Sequence, residues 1–171
     1  MIQNAPVIGF HDLYETYSRD VYRFALFLSG NPTLAEDITS ETFVRVWSSP
    51  EPIRLATVKG YLLTIARNLW LMELRRQERQ GGGSPVNETI PDAAQSVLHQ
   101  LDAKDELSRI LKALQEFPEV DRAALLMRAD EGLSYEEISV ALGLPLATVK
   151  VKVHRTRLKL AQIRHQGVFA K

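Results

Sequence analysis

Lys150, Lys152, Arg155, Arg157 and Lys159 crowd one short stretch, and no carboxylate occurs from Pro145 to Lys171. Cations at this density bind polyanions and break no bonds, so the chemistry to expect is recognition. A helical wheel sharpens this. With Val149 at zero and 100° per residue, Val153, Thr156, Leu160 and Ile163 fall within about 40° of it, which makes an inward face. Ala147, Val151, His154 and Arg155 lie opposite, and Lys150, Arg157, Lys152 and Lys159 occupy the two shoulders. A helix laid in the major groove of DNA needs this pattern: an exposed ridge toward base edges and cations toward both phosphate backbones. Arg155 has the fork that pairs with guanine, Val151 can meet a thymine methyl, and His154 is open between a base contact and packing. A solvated surface helix normally mixes both signs of charge, which this one does not.

Residues able to catalyse are scarce by comparison. Cysteine is absent, which removes disulfides and thiolate metal sites, and His11, His99, His154 and His165 have no ligand spacing. Asp37 and Glu41 share a helical face without an evident third ligand, so a metal-dependent nuclease has little support. Gly81, Gly82 and Gly83 follow no strand and precede no Lys-Ser/Thr pair, which disfavours a phosphate loop and favours a flexible linker.

The elements that must position the basic helix are helical throughout. Phe10 to Ser29 repeats apolar residues at Phe10, Leu13, Tyr17, Val21, Phe24 and Leu28, and Gly30-Asn31-Pro32 stops it. Thr33 and Glu36 form a capping-box spacing that opens a second helix through about Trp47. Pro50 and Pro52 make Ser48 to Thr57 a loop. A third helix runs from Val58 to about Gln80 with a stripe of Tyr61, Leu62, Ile65, Leu69 and Met72. Helical period returns at Val97 to Glu116 and at Glu119 to Ala129, the latter after Pro118 and ended by Gly132. Ser134 and Glu137 give a second capping box for Tyr135 to Leu142. Gly143 closes that helix, and Pro145 opens the basic one, which runs to about Arg164. Two helices, a tight glycine turn and a cationic second helix constitute a helix-turn-helix pattern. The expected architecture is all-α: two small helical domains at 1–80 and 97–171, joined by a flexible linker at 81–96.

Net charge is zero over 171 residues, but the distribution is uneven. Residues 80–133 carry five basic and ten acidic side chains, and residues 134–171 carry seven basic and two acidic. A polyanion partner is therefore expected for one part of the chain only. No run of eighteen apolar residues occurs, and Met1 to Phe10 has neither the basic start nor the apolar core of a secretion signal, so a cytoplasmic protein without membrane insertion is expected.

Four blocks, in order, resemble sigma-70-family RNA polymerase sigma factors. Ala35 to Trp47 looks like the polymerase-docking helix of region 2. Gly60 to Leu69 with Leu74-Arg75-Arg76 resembles the helix that meets the minus-10 promoter element. Leu114 to Arg128 resembles the opening of region 4, and Ser134 to Gly143 with Thr148 to Arg157 resembles its helix-turn-helix. With regions 2 and 4 and no region 3 domain, the chain is similar to the extracytoplasmic-function (ECF) group.

The resemblance implies a bacterial alternative sigma factor with no enzymatic activity and no cofactor. Its partners would be core RNA polymerase (the beta-prime clamp helices and the beta flap), promoter DNA both as duplex and as melted non-template strand, and an anti-sigma factor. It places polymerase contacts at Asp37, Ser40, Glu41 and Phe43, where Phe43 is equally a core ring. It places minus-10 contacts at Lys59, Tyr61, Arg67, Asn68, Arg75 and Arg76. It places minus-35 base contacts at Val151, His154 and Arg155, with phosphate contacts at Thr148, Lys150, Lys152, Arg157 and Lys159. The family often has Gln at Ser40, Trp at Tyr61, Ser at Val151 and Arg at Lys152, so the target sequence stays open. The rival readings are a dimeric helix-turn-helix repressor or activator and, further off, a recombinase or nuclease.

Overall fold

The computed structural model describes residues 9–49, 57–81 and 104–169, and among them it holds seven helices and no strand. They are α1 (Phe10–Ser29), α2 (Pro32–Ser48), α3 (Val58–Arg79), α4 (Lys104–Gln115), α5 (Glu119–Ala129), α6 (Tyr135–Leu142) and α7 (Leu146–Phe169). The all-α expectation holds. The linker reading of 82–96, the Pro50–Ala56 loop and the start of the helix drawn from Val97 lie outside the described residues.

Local signals explain most of the boundaries. Gly30 adopts φ +68° and donates its N–H to the Leu26 carbonyl, which ends α1 in a left-handed cap. The α2 start differs from the capping box read at Thr33. The Asn31 side chain accepts from the Leu34 N–H and Pro32 occupies the first turn, so the helix begins earlier. A side chain two residues upstream, helped by a proline whose φ is already helical, takes the cap. Thr57 caps α3 by accepting from the Gly60 N–H.

The Ser134–Glu137 box is present in full: Ser134 Oγ accepts from the Glu137 N–H at 3.1 Å, and Glu137 Oε2 accepts from the Ser134 N–H at 2.7 Å. Ser134→Ala should cost about 1 kcal/mol of stability in urea denaturation; an unchanged midpoint would mean that packing alone holds α6.

The α1–α3 bundle buries Leu13, Val21, Phe24, Ala25 and Leu28 of α1 against Ala35, Ile38 and Phe43 of α2. On α3 the buried set is Leu62, Leu63, Ala66 and Trp70, while Met72 is exposed. The inward face of α3 is therefore rotated from the stripe read in the sequence. Apolar residues lie on more than one side of this helix, and the period alone does not say which side meets a neighbour. In the second half, Leu111 and Leu114 of α4, Ala123 to Met127 of α5, Ile138 of α6 and Val149 and Val153 of α7 close the core.

The two halves also pack on each other, with α1 against α4 and α5 and α3 against α6. Gln115 Nε2 donates to the Phe27 carbonyl at 3.3 Å across this seam. A Cβ at Gly30 would lie 3.0 Å from the Gln115 amide, so that glycine serves the cap and the seam together.

Candidate nucleic-acid interface

α7 is held from beneath by Val149, Val153 and Thr156, all fully buried, and Thr156 returns its hydroxyl hydrogen to the Lys152 carbonyl. The inward face expected from the wheel holds for these two turns. Leu160 is half-buried and Ile163 is 41% exposed, because α7 continues to Phe169 past the helices that cover its start. Gly143, at φ +63°, turns the chain between α6 and α7, and Ser139 Oγ donates to the Leu144 carbonyl to brace that turn.

The outward ridge carries Ala147, Val151, His154 and Arg155, all exposed. Leu158, 52% exposed, completes it. The sequence reading missed Leu158 although its wheel angle, about 180° from Val149, could have found it. Lys150, Arg157 and Lys159 are exposed on the shoulders, and Thr148 is half-buried. Lys152 differs: its Nζ lies 2.7 Å from Asp121 of α5, so the cation is engaged inside the domain. Tyr135 is a further anchor, with the Arg128 guanidinium 4.4 Å and the Lys150 ammonium 5.9 Å from its ring centroid. Arg128 also donates to the Leu133 carbonyl, which fixes the turn leading into α6.

On α2, Asp37, Ser40 and Glu41 are exposed along one face, and Glu41 pairs with Arg45 at 3.1 Å. Phe43 is 2% exposed and stacks edge-on with Tyr14 at 4.9 Å and Phe10 at 6.4 Å. Of the two roles left open for this ring, the core role is the one it occupies here. Val44 and Trp47 are the apolar side chains that α2 exposes, Trp47 at 69% with its ring 4.8 Å from that of Phe10. The spacing Asp37, Glu41, Val44, Trp47 follows one helical face and was available in the sequence.

The α3 candidates divide. Asn68, Arg75 and Arg76 are exposed, and Tyr61 is half-buried. Arg76 grips Glu73 at 2.7 and 2.8 Å, and this hydrogen bonding holds the Glu73 carboxyl below its usual range. Leu69, Met72, Glu73, Arg75, Arg76 and Arg79 line a shallow basic depression at this end of the helix.

Lys59 and Arg67 instead face the second half. Arg67 binds Glu119 of α5 through both carboxylate oxygens, at 2.7 and 2.9 Å. Lys59 lies 3.3 Å from Asp20 and 3.0 Å from Glu131, and Arg23 reaches Asp130 at 2.7 Å and Glu131 at 3.1 Å. Burial opposes the charge on Lys59, but its bonds to Glu131 and Asp20 outweigh that and leave its pKa raised. Glu131 Oε2 is buried and, although Lys59 is close, has no aligned hydrogen-bond donor. Burial dominates there and lifts the Glu131 carboxyl to about 6 against the pull of Lys59 and Arg23.

No helix among the described residues is long and apolar enough to cross a membrane, and none of these residues cluster as three or more metal ligands.

Family profiles match both halves: Sigma-70 region 2 over residues 13–80 and Sigma-70 region 4 over residues 107–160. The ECF RNA polymerase sigma factor SigM of Bacillus subtilis is 30% identical over 92% of this chain and 96% of its own length. The chain belongs to the ECF RNA polymerase sigma factors. The ECF RNA polymerase sigma factor SigE of Mycolicibacterium smegmatis is 37% identical over 91% of this chain, which spans 62% of that relative's length. Among solved structures, the sigma factor RpoE of Bartonella quintana, in complex with the anti-sigma factor NepR, shares the fold at TM-score 0.73 and 23% identity over 91% of this chain and 96% of that one. CnrH, in complex with the cytosolic domain of CnrY, does so at TM-score 0.68 and 21% identity over 92% and 88%. Within this ECF sigma factor, region 2 therefore includes most of α1 with α2 and α3, and region 4 includes α5, α6, most of α4 and the first part of α7.

Proposed function

We propose that this chain directs core RNA polymerase to promoters by reading a duplex minus-35 element with α7 and capturing the melted minus-10 strand on α3. The observation that carries the reading is the exposed ridge of α7, free of carboxylates and flanked by exposed cations. Val151, His154 and Arg155 are positioned for base edges, with Leu158 available for a methyl group. Lys150, Arg157 and Lys159 would take phosphates together with Thr148, and Lys152 would join only by leaving Asp121. On α3, Asn68, Arg75 and Arg76 are accessible to a single strand and Tyr61 is half-buried, with Lys59 and Arg67 joining once region 4 moves away. Docking to the beta-prime clamp helices would use Asp37, Ser40 and Glu41 around Val44 and Trp47, an apolar anchor ringed by charge. Region 4 would meet the beta flap, and an anti-sigma factor would cover these surfaces in the resting bacterial cytoplasm. The working division is 1–80 for polymerase and minus-10 binding, 81–96 as linker and 97–171 for minus-35 binding. Two weak binding units held on one polymerase gain affinity from their raised effective concentration. RNA synthesis stays with the polymerase, so the factor needs no catalytic residue or cofactor of its own.

Run-off transcription on a fragmented genomic library, with purified bacterial core polymerase, tests this. Discrete start sites that appear only when the protein is added support it. No gain of core activity, with dimeric binding to duplex DNA alone, would replace it with a repressor. Lys150→Ala should lower duplex affinity for all sequences and reduce the salt slope by about one. Lys152→Ala should change that slope less, since Asp121 already holds this cation; equal slopes for both variants would remove the distinction.

A further inference from the structure

The sequence makes α7 free of carboxylates, and the fold then sets one against it. Asp121 of α5 reaches Lys152 across 31 positions, with its Oδ1 2.7 Å from the ammonium nitrogen. Among the described residues, Lys150, Arg157 and Lys159 are exposed and have no such counterion. Lys152 is held closer in, with its side chain 32% exposed and that of Asp121 23% exposed. Both ends of the pair stand on fixed supports. Val149, Val153 and Thr156 pin the turns of α7 around Lys152, and α5 is anchored by buried Ala123 to Met127. Asp121 lies in the first turn of α5, where the free amides of a helix N-terminus favour negative charge. It is thus a positioned anion that competes for the one shoulder cation it touches.

We propose that Asp121 is an affinity-setting residue: it competes with a DNA phosphate for Lys152 and holds duplex binding by α7 below what the cations of this helix alone would give. The proposal rests on the DNA-reading role of α7. A cation that must leave a carboxylate to reach a phosphate exchanges one pair for another. An unpaired cation instead releases a counterion from the duplex and adds nearly one to the salt dependence. The two shoulders of α7 are therefore unequal. Lys150 and Arg157 are ready on one side, whereas on the other Lys159 is ready and Lys152 is withheld. Neutralising Asp121 converts a withheld contact into a direct one, so an ion pair lost inside the domain appears as affinity gained outside it.

Binding of the full-length protein to a mixed-sequence duplex oligodeoxynucleotide, followed by fluorescence anisotropy over a range of salt, tests this without knowledge of the promoter. Asp121→Asn should bind about two- to fivefold more tightly at low salt, the fold-change of releasing one partly exposed ion pair. Its salt slope should be steeper by about one. Asp121→Glu, which returns a carboxylate, should behave as wild type. Adding Lys152→Ala to Asp121→Asn should abolish the increment in slope. Lysine acetylation reads the cation itself: the duplex should protect Lys152 strongly in Asp121→Asn and weakly in wild type.

An unchanged slope in Asp121→Asn, shown folded by circular dichroism, overturns the proposal and leaves the pair as a strut between α5 and α7. Should that variant not fold, Asp121→Ser, which a first helical turn accommodates, decides instead. An increment that persists without Lys152 also overturns it, since the effect would then belong to general charge. A Lys150→Ala slope equal to that of wild type would remove the DNA-reading role of α7, and the proposal with it. A lowered Lys150→Ala slope beside an unchanged Asp121→Asn slope removes the proposal alone.

Discussion

Arg155→Ala is expected to weaken binding of the polymerase-bound factor to its upstream duplex element by ~1–3 kcal/mol and to relax preference at one base pair. Arg155 is exposed on the α7 ridge between Val151 and Leu158, and no ion pair engages it among the described residues. The turns beneath it are clamped by Val149, Val153 and Thr156, so the guanidinium leaves a fixed platform and little entropy is lost on docking. A planar fork on such a platform can bind both acceptors of a guanine, and alanine leaves those acceptors without partners. Selection from a randomised duplex library decides the matter. The same sequences recovered with the same enrichment would show that Arg155 reads no base.

Acidification is expected to change stability through Glu131, with a sign opposite to that of most carboxylates. Burial lifts its pKa from 4.5 to about 6 in the folded protein, so the native state binds this proton more tightly than the unfolded chain does. The contribution is fully present below pH 4.5 and is lost as pH rises through about 6. A displacement of that size corresponds to about 2 kcal/mol as an order of magnitude. Glu131→Gln keeps the shape and removes the titration. Urea denaturation of the two proteins at pH 4.5 and at pH 7.5 should therefore show the variant gaining about 2 kcal/mol relative to wild type over that interval. A constant difference would mean that Arg23 and Lys59 already compensate the buried charge.

What was legible in the sequence was local or periodic. The Ser134–Glu137 box, the Gly143 turn and the buried Val149–Val153–Thr156 face depend on neighbours within two turns, and each appears as read. The ridge residues of α7 follow from the same period. The α2 start was misread because Thr33 and Asn31 compete for one cap and only the geometry of Pro32 decides between them. The α3 face was misread because Leu62, Leu63, Ala66 and Trp70 find partners in α1 and α2 that the helix itself does not encode. The seam between regions 2 and 4 was invisible. Arg67 and Glu119 stand 52 residues apart, and Arg23 and Glu131 stand 108 apart, with no spacing rule to join them. Lys59 and Arg67, placed among the minus-10 contacts in sequence, are found partly covered in the fold.

The unequal burial of Trp47 and Trp70, the two tryptophans of the chain, gives the molecule two intrinsic fluorophores with separate duties. Trp47, on the proposed docking face, is 69% exposed and should emit as a solvated indole open to collisional quenchers. Trp70, 6% exposed and with an indole N–H that has no hydrogen-bond partner, should emit as a buried indole, sheltered until region 2 unfolds. One emission spectrum therefore carries a surface signal and a core signal at once, so association and unfolding of region 2 can be told apart without attaching any label.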